Sequence, residues 1–134
     1  MKAIPLGLTG RAEASVTEQL TAQAARSGTL AVFATPFMTA LMEEAAYTAL
    51  TPYLDQDQSS VGVQLNVSHL SATPVGMEVW AESEVTAVDG KKITFQVRAF
   101  DRSGLIGEGV HERVVIRSES FLQRCYGKLE EARN

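Results

Sequence analysis

The sequence predicts one α+β domain, with an antiparallel sheet curved around a single central helix. Three observations carry that expectation. Several long stretches alternate polar and apolar residues at strand period, and the turns between them are too short for crossover helices. Between Ser27 and Leu54 only Glu43 and Glu44 are charged, and the apolar residues there recur at helical spacing. The chain has 134 residues, 45% hydrophobic and 21% charged, enough for one core and incompatible with disorder.

The first expected strand is Arg11–Thr21. Arg11, Glu13, Ser15, Thr17, Gln19 and Thr21 face one way, Ala12, Ala14, Val16 and Leu20 the other, and Glu18 is the exception. Ala22 to Ala34 reads as a connection with a turn at Ser27-Gly28. Thr35-Pro36 marks a helix start, threonine as N-cap and proline where no helical N–H is lost. The helix runs to about Leu50 and stops before Pro52, with Phe37, Met38, Leu41, Met42, Ala45 and Ala49 as its apolar stripe.

Four further strands are expected as a meander. The first, Val61–Leu70, places Val61, Val63, Leu65, Val67 and His69 on one face. Glu78–Val88 follows Pro74 and Gly76, and Ile93–Phe100 is entered through the hairpin dipeptide Asp89-Gly90. Leu105–Ile116 is entered through Arg102-Ser103-Gly104. From Ser118 the spacing of Phe121, Leu122, Tyr126 and Leu129 predicts a short amphipathic helix. Without repeats or a linker, residues 1–134 form one domain, core about 11–117 and tail 118–134. One sheet and one charge-poor helix leave edges to cover, which predicts a homodimer.

Composition removes whole classes of function. A net charge of −4 argues against nucleic acid as partner. Cys125 is the only cysteine and no Cys/His cluster has zinc spacing, so neither a disulfide nor a metal site is expected, and a reducing cytoplasmic setting fits. The N-terminal IPLGLTG is too short and glycine-broken for a signal sequence. Gln58–Met77 lacks formal charge but alternates and contains His69 and Pro74, so no membrane span is expected. GxSxG, Walker A, GxGxxG and HExxH motifs are all absent.

Three polar residues stand out by their company. Thr35 lies at the helix start, where unpaired N–H groups and the positive end of the dipole converge. Glu43, eight residues on, is turned by only about 80° from it, and Thr39 stacks one turn before Glu43. His69 closes an otherwise apolar strand face. Position alone favours a plain cap for Thr35, does not separate Glu43 from Glu44, and makes His69 a hydrogen-bonded core residue. His111 reads as structural, with its neighbour Arg113 able to meet an anion.

The segments VFATPFMTALMEEAA, VGVQLNVSHLSATPVGMEV and GEGVHERVVI, in this order and spacing, resemble the hotdog-fold thioesterases of the fluoroacetyl-CoA thioesterase type. The resemblance covers about Arg11 to Arg124. It implies a hotdog fold and a catalytic set of Thr35, Glu43 and His69, with Gly62 and Arg113 bordering the site. It outweighs the bland positional readings of those residues. Phe33 and Thr39 are added as substrate-binding residues. One departure is visible: the aromatic lid of the fluoroacetyl-specific members falls here on Arg26-Ser27-Gly28-Thr29-Leu30, with no aromatic before Phe33.

The expected function is therefore an acyl-CoA thioesterase, without cofactor, that releases a free acid and CoA and accepts more than fluoroacetyl-CoA. The helix N-terminus would stabilise the oxyanion, and the nucleophile is left open among Thr35, Glu43 and water. Two rivals stand beside it. A hotdog enoyl-CoA hydratase or dehydratase would act without releasing CoA, and a non-catalytic acyl-CoA binding protein would tolerate loss of Glu43.

Overall fold

The structure, a computed structural model, describes residues 1–133; Asn134, the end of the expected tail, lies outside the described residues. Its strands are β1 (Thr9–Ser15), β2 (Gln58–His69), β3 (Glu78–Asp89), β4 (Lys92–Asp101) and β5 (Gly104–Arg117). Its helices are α1 (Ala22–Ala25), α2 (Thr35–Leu50) and α3 (Ser118–Arg133). All five strands form one antiparallel sheet in the order β1-β3-β4-β5-β2.

That order corrects the expected meander. Only β3, β4 and β5 are sequential neighbours; β2 crosses over to pair with β5, leaving β1 and β2 as the edges. The joined ends of β2 and β3 read as a hairpin in sequence, but Ser71–Met77 is a loop that spans the sheet. Thr73 secures it: buried, its hydroxyl donates to Asp101 at 2.7 Å and its carbonyl accepts from the Phe33 N–H.

The second correction concerns the first strand, which ends at Ser15 rather than Thr21. Glu18–Leu20 is a 3₁₀ turn, and Thr21 then caps α1, its hydroxyl accepting from the Ala24 N–H and donating to the Glu18 carbonyl. Glu18, the lone break in the alternation, opens that turn. Residues 21–34 form a flap, tied down by bridges Thr21–Phe33 and Val32–Pro74 and turned at Arg26 in the left-handed region.

α2 buries Met38, Leu41, Met42, Ala45, Ala46, Ala49 and Leu50 against Val79, Ala81, Val85, Phe95, Val97 and Ile106 from the sheet. Its approach to the sheet is close enough to demand glycine. A Cβ on Gly10 would lie 2.0 Å from the Ala45 carbonyl oxygen, which also accepts from Ser83 Oγ at 2.9 Å. The helix is less wrapped than its lack of charge suggests: Pro36, Ala40, Glu44, Tyr47 and Thr48 are exposed.

The third correction is a β-bulge in β2 at Val63. An extra residue reverses the side-chain alternation, so the run from Val61 to His69 does not share one face. Val63 is 54% exposed, whereas Gly62 turns inward on one side of the bulge and Leu65, Val67 and His69 follow on the other.

Candidate functional site

The start of α2 is built differently from a capped helix. Ala34, not Thr35, is the N-cap, and no side chain caps the end. The Phe37 and Met38 N–H groups both donate to the Ala34 carbonyl, Ala34 itself donates to Leu20, and Pro36 has no N–H. The Thr35 N–H is thus the unpaired donor at the helix start, among the described residues. The Thr35 hydroxyl lies 2.7 Å from His69 Nδ1, brought there from the end of β2.

His69 Nε2 is buried without a hydrogen-bond partner. Buried polar atoms are nearly always paired, so this one is an exception. Burial pushes the imidazole below its ordinary range, the Ser71 backbone opposing. The pair opens onto a cavity of about 300 Å³ walled by the flap (Ala22, Ser27, Val32, Phe33) and by Leu70–Ala72. Phe33 is part of that wall but is only 2% exposed and belongs to the core.

Glu43 stands elsewhere. Eight residues of α2 separate it from Thr35, a rise of about 12 Å, and no contact joins it to Thr35 or His69 among the described residues. Its Oε2 instead faces Arg113 Nη1 at 3.5 Å and His111 Nε2 at 3.9 Å. Thr39, one turn before, donates to the Pro36 carbonyl of its own helix.

Arg113 is buried, and its guanidinium is dressed on three sides. Nε donates to Ser60 Oγ and Nη2 to the Ser60 carbonyl, each at 2.9 Å, and the Tyr47 ring lies 5.7 Å from the charge. Its shorter bonds are thus to Ser60 of β2, and it meets Glu43 only through the longer Nη1 contact. Gly62 makes room for this cluster. A Cβ there would meet Glu43 Oε2 at 2.7 Å and His111 Cε1 at 3.0 Å.

The chain thus holds two separate side-chain clusters, Thr35–His69 at the head of α2 and Glu43–Arg113–His111 two turns along. Ser60, His111 and Thr73 were not singled out as functional by pattern. Ser60 gave no signal, because it becomes a partner only through the β2–β5 register, and Thr73 acts through Asp101 far along the chain. Among the described residues no three His, Cys, Asp or Glu side chains are grouped to hold a metal ion, and no helix is long and apolar enough to cross a membrane.

Known proteins place this arrangement in context. The fluoroacetyl-CoA-specific thioesterase family profile matches residues 16–119. A fluoroacetyl-CoA thioesterase of Streptantibioticus cattleyicolor is 43% identical over 90 residues, which cover 67% of this chain and 65% of that one. A solved fluoroacetyl-CoA thioesterase superposes with a TM-score of 0.90 at 32% identity, covering 95% of this chain and 98% of that one. A Thermus thermophilus protein described as a thioesterase superfamily member gives 0.88 at 27% identity, over 98% and 99% of the two chains. The curled five-stranded sheet and central helix are thus those of the hotdog fold.

Proposed function

The chain belongs to the fluoroacetyl-CoA-specific thioesterase family, and from that premise we propose that it hydrolyses acyl-CoA thioesters to the free acid and CoA. The observation that carries this reading is the 2.7 Å approach of the Thr35 hydroxyl to His69 Nδ1, which leaves the buried Nε2 without a partner and the Thr35 N–H free at the helix start. When the Thr35 hydroxyl donates to Nδ1, the imidazole proton sits on Nε2 and becomes a second donor. The thioester carbonyl oxygen is received between the two. One such donor is typically worth about 3 kcal/mol of barrier.

The Glu43 carboxylate removes a proton from water as its oxygen attacks the carbonyl carbon. The tetrahedral intermediate collapses, breaking the C–S bond, and the leaving thiolate of CoA takes up the proton that Glu43 removed from water, which restores the carboxylate. Because Glu43 stands about 12 Å along the helix from Thr35, its carboxylate serves a carbonyl held at Thr35–His69 of a second copy. The protein is accordingly a homodimer, its interface covering the exposed face of α2 and an edge of the sheet. Acyl-CoA is the small-molecule partner, and the exposed lone Cys125 suits a cytoplasmic setting.

The 2.7 Å contact between Thr35 and His69 supports a second reading, in which the hydroxyl attacks and His69 takes its proton. Rapid quench and intact-mass measurement separate the two: an acyl group on Thr35 selects the second, and its absence during turnover selects water. The test of the function itself is free-thiol release from a panel of acyl-CoA esters by the wild type, Glu43→Gln and Glu44→Gln. Glu43→Gln is expected to lose at least about 100-fold, the scale of a general base, with Glu44→Gln near wild type. No thiol release, or enoyl-CoA hydration in its place, overturns the reading.

A further inference from the structure

We propose that His111 is a positioning residue that holds the Arg113 guanidinium partly off Glu43 and so leaves the Glu43 carboxylate open to water. The inference rests on Glu43 being the base, as read above. It starts from a proton count. His111 Nδ1 lies 2.8 Å from the Gln64 carbonyl, next to the β2 bulge, and a carbonyl only accepts, so Nδ1 carries the proton. Nε2 lies 3.1 Å from Arg113 Nη1, and a guanidinium only donates, so Nε2 carries the lone pair. The two neighbours fix one neutral tautomer between them.

The consequence falls on Glu43. Nη1 is the guanidinium nitrogen that faces it, and this nitrogen sits closer to His111 Nε2, at 3.1 Å, than to Glu43 Oε2, at 3.5 Å. Nε and Nη2 are both taken by Ser60, so the guanidinium meets the carboxylate through Nη1 alone and not with a two-pronged grip. Nor does the neutral imidazole compensate: Nε2, 3.9 Å from Glu43 Oε2, carries no proton to donate. Glu43 is left oriented by one long, shared contact and 40% exposed.

The ring is well placed to do this. It is 1% exposed and stacks on Phe95 of β4, with centroids 6.2 Å apart. The charged groups around it are Arg113 and Glu112 on its own strand and Glu43 on α2; Glu112 is engaged by Lys92 at 3.5 Å. Burial, the largest influence, pushes the imidazole below its ordinary range, the Gln64 carbonyl opposing and Arg113 adding to the shift, which keeps the accepting form populated near neutrality.

The experiment compares His111→Leu and His111→Gln in the full chain, each alone and combined with Glu43→Gln, by steady-state thioester hydrolysis. Leucine removes the acceptor and frees Nη1 to close on Glu43. The expected result is a kcat lower by about tenfold or more with KM within about twofold. Glutamine offers a carbonyl oxygen at similar reach and is expected to restore most of kcat. In the Glu43→Gln background neither change is expected to lower the residual rate further, since His111 acts through Glu43. Wild-type kcat in His111→Leu, glutamine no better than leucine, or a further loss on top of Glu43→Gln each overturns the inference. If the leucine variant does not fold, the glutamine variant decides: retained kcat supports the role and lost kcat refutes it. A harmless Glu43→Gln indicts the base itself, whereas a damaging Glu43→Gln with a neutral His111→Leu indicts only this inference.

Discussion

The Thr35 hydroxyl lies 2.7 Å from His69 Nδ1 and caps nothing in its own helix. A threonine at a helix start ordinarily spends its oxygen on the N–H groups that follow. Here the cap position has moved back to Ala34, and Pro36 and the Ala34 carbonyl settle the first turn without help from a side chain. The hydroxyl is thereby released for a strand residue from the far side of the flap.

Stability and activity should therefore separate at Thr35. A lost cap costs about 1 kcal/mol, several degrees in Tm for a domain of this size. Thr35→Val is expected to shift Tm by less than about 2 °C, while kcat/KM falls by about 10- to 100-fold because His69 loses its partner. Thr35→Ser, which keeps the hydroxyl, should stay within about tenfold of wild type. Thermal melts and thiol-release kinetics on the same preparations check both halves.

The pH dependence of stability follows from two imidazoles, His111 buried and His69 half-buried. Burial lowers the folded-state pKa of His69 and of His111. The unfolded chain then binds more protons than the folded one once the pH drops below the ordinary histidine value of about 6.5. Their contribution is fully present above that value and is lost as the pH falls towards the folded-state pKa values. Urea midpoints should thus decrease from pH 7 to about pH 5, and His69→Gln should flatten part of that slope. A midpoint that rises on acidification would contradict the burial of both rings.

How much of this was readable in the chain can be judged at particular residues. The helix Thr35–Leu50 was legible because Thr-Pro, the apolar stripe and Pro52 act within a few residues of one another. The three later hairpin strands were legible through Asp89-Gly90 and Arg102-Ser103-Gly104. The crossover of β2 was not, since pairing of Gln58 with Arg117 is decided by the whole sheet and not by any local turn. The Val63 bulge was equally hidden, because one unpaired residue leaves no compositional mark yet decides which of Val61, Gly62 and Val63 face inward. Thr35, Glu43 and His69 stood out by their position, and their catalytic roles came from the resemblance. That Thr35 pairs with His69 while Glu43 sits with Arg113 is tertiary and had no sequence signal.

That separation gives a test of assembly. Thr35→Val is expected to be slower by about 10- to 100-fold and Glu43→Gln by at least about 100-fold. If one carbonyl uses Thr35–His69 of one copy and Glu43 of the other, a mixed dimer of the two variants contains one intact site. Random exchange makes about half of the dimers mixed, so mixing and refolding should recover about a quarter of wild-type activity. If both clusters serve the same chain's substrate, every site keeps a defect and mixing recovers nothing. Sedimentation of the wild type as a monomer at micromolar concentration would remove the idea at once.

The last prediction concerns which acyl group is taken. Discriminating fluoroacetyl from acetyl requires contacts that reward one fluorine and reject one hydrogen, a small difference in size. A closed aromatic wall supplies them by excluding water and gripping the α-carbon. Here the cavity beside Thr35 and His69 is about 300 Å³ and is walled by Ala22, Ser27, Val32, Leu70, Ser71 and Ala72. Among the described residues the only aromatic in that wall is Phe33, which is locked in the core. The flap above it turns at Arg26 and carries Leu30 at 66% exposure, so no side chain of that segment closes the mouth with a ring. An apolar pocket gains only about 1–3 kcal/mol per methylene, so preference should change gradually with acyl size and activation. We expect kcat/KM to vary smoothly across acetyl-, fluoroacetyl-, butyryl- and phenylacetyl-CoA, with the bulkiest limited by the small cavity. Measured under one set of conditions, a fluoroacetyl preference over acetyl greater than about 10⁴ would defeat the argument, because it exceeds what a pocket without such a ring can provide.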